Sequence, residues 1–141
     1  MIEGISHITF IVQDIEKSAK LFKEIFSAEE VYDSLEKNFS YSREKFFLIS
    51  NQWIVLMEGS SLKEQSYNHL AFKIDESDYD EMLKKIKAYG LVIKEGRKRI
   101  EADSKSIYFY DYDNHLFEFH TGTLKDRLTG YNDVLKKNLK G

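Results

Sequence analysis

The chain has 141 residues, 42% of them hydrophobic, a formal charge of −3 and no cysteine or proline. This length suits one compact domain, or two small modules sharing a core, and the mild acidity argues against a general nucleic-acid binder, which needs a basic surface to displace counterions from phosphates. Without cysteine there is no disulfide framework, thiolate metal site or cysteine nucleophile, so any metal must be held by His, Asp or Glu.

The segment Ser6-His7-Ile8-Thr9-Phe10 opens with the two-residue alternation of a strand. Asp14 then caps a helix with Ile15, Ala19, Phe22 and Phe26 on one face. β-rich segments follow at residues 29–33, 46–49 and 53–58, and residues 59–65 read as a junction. Asn68-His69-Leu70-Ala71-Phe72 echoes the first strand, with His69 lying 62 residues after His7. Ser77 is expected to cap a second helix carrying Tyr79, Leu83, Ile86 and Tyr89, followed by strands at 91–94, 107–110 and 116–120. Thr123-Leu124-Lys125-Asp126 has the form of a capping box and opens a last helix with Leu124, Leu128, Tyr131 and Leu135.

The fold class is therefore α+β. A single domain over 1–141 comprises one βαβββ module at 1–60, a second at 66–121 and a C-terminal helix at 123–138. A half of ~60 residues with one helix covers only one face of its sheet, so the other face needs a partner. No apolar run approaches the ~20 residues that span a bilayer, and the first residues lack the basic and apolar regions of a secretory signal, so the expected location is the cytoplasm.

Strand residues alternate faces, which sorts the side chains into two sets. Ile8, Phe10, Val12, Leu70, Phe72, Ile74, Ile107, Phe109, Phe117 and Phe119 form an apolar face expected to lie under the helices. The opposite face collects His7, Thr9, Tyr67, His69, Ser106, Tyr108, Tyr110, Glu118 and His120. Buried polar groups need partners, so this concentration indicates a lined cavity rather than a packed interface. Two imidazoles at equivalent repeat positions plus a carboxylate suit a divalent metal that keeps positions open for substrate. On this pattern His7 and His69 are ligands, and Glu118 and His120 both remain candidates for the third. His115, in the turn after Tyr110, is expected to be structural.

These residues, the paired modules and the run from Ser106 through Tyr108, Asp111, Asp113 and His115 to Glu118 resemble the FosX-type fosfomycin resistance proteins of the glyoxalase/bleomycin-resistance, or vicinal-oxygen-chelate, superfamily. The resemblance covers nearly the whole chain. It implies a metal-lined sheet cavity, modules paired across a homodimer, and Mn²⁺ held by His7, His69 and Glu118. It implies Glu44 as the carboxylate that activates water, and Thr9, Tyr67, Lys98, Ser106, Tyr108 and Arg127 as contacts to the substrate phosphonate, with Arg97 or Arg99 able to replace Lys98. A dianionic phosphonate suits Arg for paired hydrogen bonds and Lys as a point charge. The stretch from Glu101 to Lys105 departs from the Ser- and Gly-rich potassium loop of the glutathione-dependent relatives, so no potassium is expected.

The function so implied is Mn²⁺-dependent hydrolysis of the epoxide of fosfomycin to a vicinal diol. Three rivals stand beside it. They are a fosfomycin thiol transferase on the same scaffold, an oxygen-activating iron enzyme with the same ligand types, and a drug-sequestering binding protein that needs the cavity but no metal. Residues read alone make Glu44 an ordinary loop charge. Thr9 adds weight to hydrolysis, because one thiol-using subgroup tends to carry cysteine there.

Overall fold

A computed structural model describes residues 1–37, 39–95 and 104–140. Two compact units emerge, one formed by Met1–Ser66 with Asp111–His115 and the other by Tyr67–Tyr110 with Leu116–Gly141.

In the first unit, β1 (His7–Val12) leads into α1 (Ile15–Ile25), and then β2 (Glu29–Asp33), β3 (Glu44–Ile49) and β4 (Gln52–Glu58) complete a sheet of order β1-β4-β3-β2. The β1–β4 pair is parallel and the other two pairs are antiparallel. Asp14 caps α1 by accepting the Lys17 N–H at 3.0 Å. The helix stops where Ser27 adopts φ +53° and Ala28 N–H turns back to the Phe22 carbonyl. Its inner face buries Ile15, Ala19, Phe22 and Ile25 against Val12, Phe47, Ile54 and Leu56. Phe22 is central, with ring contacts to Phe10, Phe26 and Phe47. Its truncation to Ala would cost about 3–5 kcal/mol.

The second unit repeats the plan with β5 (His69–Lys73), α2 (Tyr79–Ala88), β6 (Ile93–Lys94), β7 (Ser106–Tyr110) and β8 (Leu116–His120), in the order β5-β8-β7-β6. The two βαβββ modules expected from the 62-residue echo are thus both present with one topology. Ile86, Ile107, Phe109, Phe117 and Phe119 are buried beneath α2 and within the sheet. Ser77 does not cap α2. Asp75 accepts both its N–H and its hydroxyl and begins a short 3₁₀ turn (Glu76–Asp78) ahead of the helix. Gly90, at φ +68°, ends α2 in the left-handed conformation that glycine adopts without penalty.

α3 (Leu124–Lys140) follows β8. Its start is a reciprocal capping box: Asp126 N–H donates to Thr123 Oγ1 and Thr123 N–H to the Asp126 carboxylate, each at 3.1 Å.

Candidate active site

Register fixes which side chains share a face. In the first unit His7 pairs with Trp53 and then Leu48, Thr9 with Val55 and then Phe46, and Met57 with Glu44, so His7, Thr9 and Glu44 lie on the same face of the sheet. The His7 ring rests on Trp53 with centroids 4.3 Å apart, and Ser6 Oγ lies 3.1 Å from its Nδ1. Trp53 Nε1 is buried without a hydrogen-bond partner among the described residues, a condition that typically costs about 1–3 kcal/mol.

Glu44 is only 8% exposed, and its carboxylate has no hydrogen-bond or ion-pair partner among the described residues. Its sequence neighbours are two cations, but strand alternation turns both away. Arg43 donates to both oxygens of Asp33, at 3.2 and 2.8 Å, and reaches Glu16. Lys45, 4% exposed, contacts Glu30 at 2.9 Å and Asp33 at 3.2 Å. The hydrogen bonds from Arg43 hold the Asp33 carboxyl well below the usual carboxylate range, and Asp33 in turn raises the Arg43 guanidinium. Burial of Lys45 opposes its charge, but Glu30 and Asp33 outweigh that effect and raise its pKa. The cations flanking Glu44 are therefore committed to other carboxylates, and the Glu44 carboxylate is left without a charged partner among the described residues.

In the second unit, Ala71, Glu118 and Tyr108 form one lateral row, His69, Leu116 and Tyr110 a second, and Lys73, His120 and Ser106 a third. His69 Nδ1 lies 2.7 Å from the Tyr67 carbonyl, an acceptor, so Nδ1 carries the hydrogen and donates it. Nε2 then faces Glu118 Oε1 at 3.2 Å. A carboxylate oxygen and an imidazole nitrogen at this distance need a cation between them, either a proton or a metal ion. The backbone-fixed tautomer is also the usual support of a metal-binding imidazole.

Ser106 bridges Glu118 and His120. Its Oγ donates to Glu118 Oε2 at 2.5 Å and lies 2.7 Å from His120 Nδ1, while Arg127 Nη2 approaches His120 Nε2 at 3.4 Å. With a donor at Nε2, His120 carries its hydrogen on Nδ1 and gives it to Ser106. The sequence Arg127, His120, Ser106, Glu118 thus runs donor to acceptor and orients the carboxylate. The single Ser106 hydroxyl hydrogen is engaged by Glu118 in this arrangement. Tyr67 and Tyr108 meet at their hydroxyls, 3.3 Å apart, and Tyr108 packs edge-on to His69.

Within either unit, among the described residues, no three His, Asp or Glu side chains gather as a ready metal cluster. Lys98, Arg97 and Arg99 lie outside the described residues, as does most of the Glu101–Lys105 stretch. Lys94 escaped the sequence reading: its register with Tyr108 puts it on the polar face, with Nζ 5.9 Å from the Tyr67 ring centre. Applying two-residue alternation to strand 91–94 would have found it. His115 is structural, its Nδ1 2.8 Å from Asp111 Oδ2 and its ring against Phe10.

Residues 4–119 match the glyoxalase/bleomycin resistance protein/dioxygenase superfamily. The chain is 54% identical over 133 residues to a fosfomycin resistance protein FosX of Listeria monocytogenes, covering 94% of this chain and all of the relative. It is 38% identical over 137 residues to a metallothiol transferase FosB of Staphylococcus saprophyticus, covering 94% of this chain and 86% of that protein. A crystal structure of a glutamine-for-glutamate variant of Listeria monocytogenes FosX, complexed with Mn(II) and 1S,2S-dihydroxypropylphosphonic acid, superposes with a TM-score of 0.85 at 50% identity, over 93% of this chain and 99% of that one. The chain belongs to the glyoxalase/bleomycin resistance protein/dioxygenase superfamily and, within it, to the FosX family of fosfomycin resistance proteins.

Proposed function

We propose that this chain confers fosfomycin resistance as a Mn²⁺-dependent epoxide hydrolase, adding water to fosfomycin to give 1,2-dihydroxypropylphosphonate. The observation that carries the hydrolytic reading is Glu44, a carboxylate 8% exposed with no cation or donor beside it among the described residues. Carboxylate oxygens that no other side chain engages are available to a water molecule, and a transferase using a ready-made thiolate would leave them without work.

His7, His69 and Glu118 are the residues that would hold the metal. Their donor types fit Mn²⁺, and the Nδ1–H bond of His69 and the Ser106 bond to Glu118 orient two of them. Bound there, the ion supplies Lewis acidity to the epoxide oxygen. Glu44 accepts a proton from water as the water oxygen bonds to the epoxide carbon next to phosphorus. The carbon–oxygen bond at that carbon breaks, and the proton is returned to the freed oxygen, so water is added with nothing left over. Positioned general-base action of this kind contributes about 10²–10⁴-fold.

For the phosphonate, Thr9, Tyr67, Tyr108 and Arg127 supply hydroxyl and guanidinium donors, Ser106 acts through Glu118 or by turning its hydroxyl to the substrate, and Lys98 and Lys94 supply point charges. One further element of this reading is a homodimer in which His7 of one chain completes the site of the other. The test is phosphorus NMR of fosfomycin incubated with the protein and Mn²⁺, with and without thiols. A diol formed without thiol is the expected product, and turnover that appears only with a thiol would move the chain to the transferases.

A further inference from the structure

We infer that Ser34 is the positioning residue for the Glu44 general base, a role that rests on the reading of Glu44 given above. Glu44 is the first residue of β3, where a strand would ordinarily fray. Its backbone is instead gripped on both sides by one residue: Glu44 N–H donates to Ser34 Oγ at 3.0 Å, and Ser34 N–H donates to the Glu44 carbonyl at 3.0 Å. Ser34 is 4% exposed and is itself fixed, because its carbonyl accepts Lys37 N–H at 2.9 Å.

Ser34 is placed by what flanks it. Asp33 accepts Leu35 N–H at 2.9 Å while holding Arg43, so the turn leaving β2 is closed around Ser34. After a bulge between Glu30 and Tyr32 the pairing resumes through Tyr32–Phe46 and Asp33–Lys45, but at the next step the Ser34 carbonyl is taken by Lys37 N–H, so the serine hydroxyl accepts the Glu44 N–H in its place. On the other flank the Arg43 carbonyl accepts Glu58 N–H at 2.9 Å and Ser42 Oγ donates to the Glu58 carbonyl at 2.6 Å. The Glu44 carboxylate has no side-chain partner of its own among the described residues, so its location depends on where its backbone is held. Among the described residues, the Ser34 hydroxyl is the side-chain group that holds that backbone directly.

The test uses the Mn²⁺-loaded full chain with fosfomycin. Ser34→Ala, and the isosteric Ser34→Cys, whose thiol is a weak acceptor, are expected to lower kcat by roughly 10-fold to 100-fold, the range that a displacement of about 1 Å brings. KM and Mn²⁺ affinity should stay within about twofold. Placed on Glu44→Gln, either change should lower kcat no further, because the group it positions is already lost. Wild-type kcat in Ser34→Cys, or the same fold-loss on the Glu44→Gln background as on wild type, overturns the inference while leaving the base assignment standing. Wild-type kcat in Glu44→Gln alone overturns the base and, with it, this role for Ser34. Should Ser34→Ala fail to fold, Ser34→Cys decides.

Discussion

His69 Nε2 and Glu118 Oε1 face each other at 3.2 Å with the far side of each group already tied, Nδ1 to the Tyr67 carbonyl and Oε2 to Ser106. A metal entering between them must replace whatever proton they share. Mn²⁺ affinity is therefore expected to fall as pH is lowered, measured by titration at about pH 6 and about pH 8. Exhaustive chelation should abolish turnover. Saturating Mn²⁺ at about 100 times its Kd should stabilise the fold by about 2.7 kcal/mol, and His69→Ala should remove that gain. Full turnover after chelation, or an unchanged melting shift in His69→Ala, would contradict the assignment.

Glu44→Gln keeps the shape of the side chain and removes its basicity. The expected result is a kcat lower by about 10² or more, with Mn²⁺ binding and phosphonate affinity retained. Steady-state kinetics alongside metal titration measures both, and unchanged kcat would return Glu44 to an ordinary buried charge.

The Asp33 carboxyl is held well below its ordinary value by Arg43, so its contribution to stability follows a definite sign. A group whose folded pKa is depressed stabilises the protein fully above its unfolded pKa of about 3.9 and loses that contribution as pH falls further toward the folded value. The melting temperature of wild type minus that of Asp33→Asn should be constant above about pH 5 and shrink below about pH 4. A difference independent of pH through this window would show that the Asp33–Arg43 pair has no linked proton.

The shared-site dimer has a quantitative signature. His7→Ala and Glu118→Ala should each be inactive alone. When the two are unfolded together and refolded at equal concentration, half of the dimers are mixed and each mixed dimer holds one intact site, so about a quarter of wild-type activity should return. No recovery from well-refolded material would mean that the three ligands come from one chain.

Much of this arrangement was legible in the sequence because it depends on local periodicity. The echo between His7 and His69 gave two modules, and two-residue alternation put Ser106, Tyr108, Glu118 and His120 on one face, where β7 and β8 hold them. Thr123 and Asp126 signalled a capping box that forms with both bonds. What stayed hidden is non-local. β3 begins at Glu44, two residues before the Phe46 start expected from hydrophobicity, because Ser34 and Glu58 hydrogen-bond its entry across neighbouring strands. The bridge from Glu118 to His120 through the single hydroxyl of Ser106 is likewise something no pattern of residue types reveals. Ser77 does not act as the cap because it lies inside the 3₁₀ turn that Asp75 caps, with its hydroxyl donated back to Asp75, and the helix itself has its N-cap one residue later at Asp78.

The turn Asp111–His115, made between β7 and β8, belongs to the first unit. Asp113, 2% exposed, there accepts Gln13 N–H at 2.9 Å and the hydroxyls of Ser61 and Ser18 at 2.5 and 3.5 Å. In synthesis order residues 1–66 come first, and Gln13 N–H and the Ser61 hydroxyl lack the Asp113 carboxylate until residue 113 is made. The loop that must then close is long, and contacts of such separation slow folding. A gene cut between residues 66 and 67 would consequently yield a first half missing the aspartate that fastens its own β1–α1 corner.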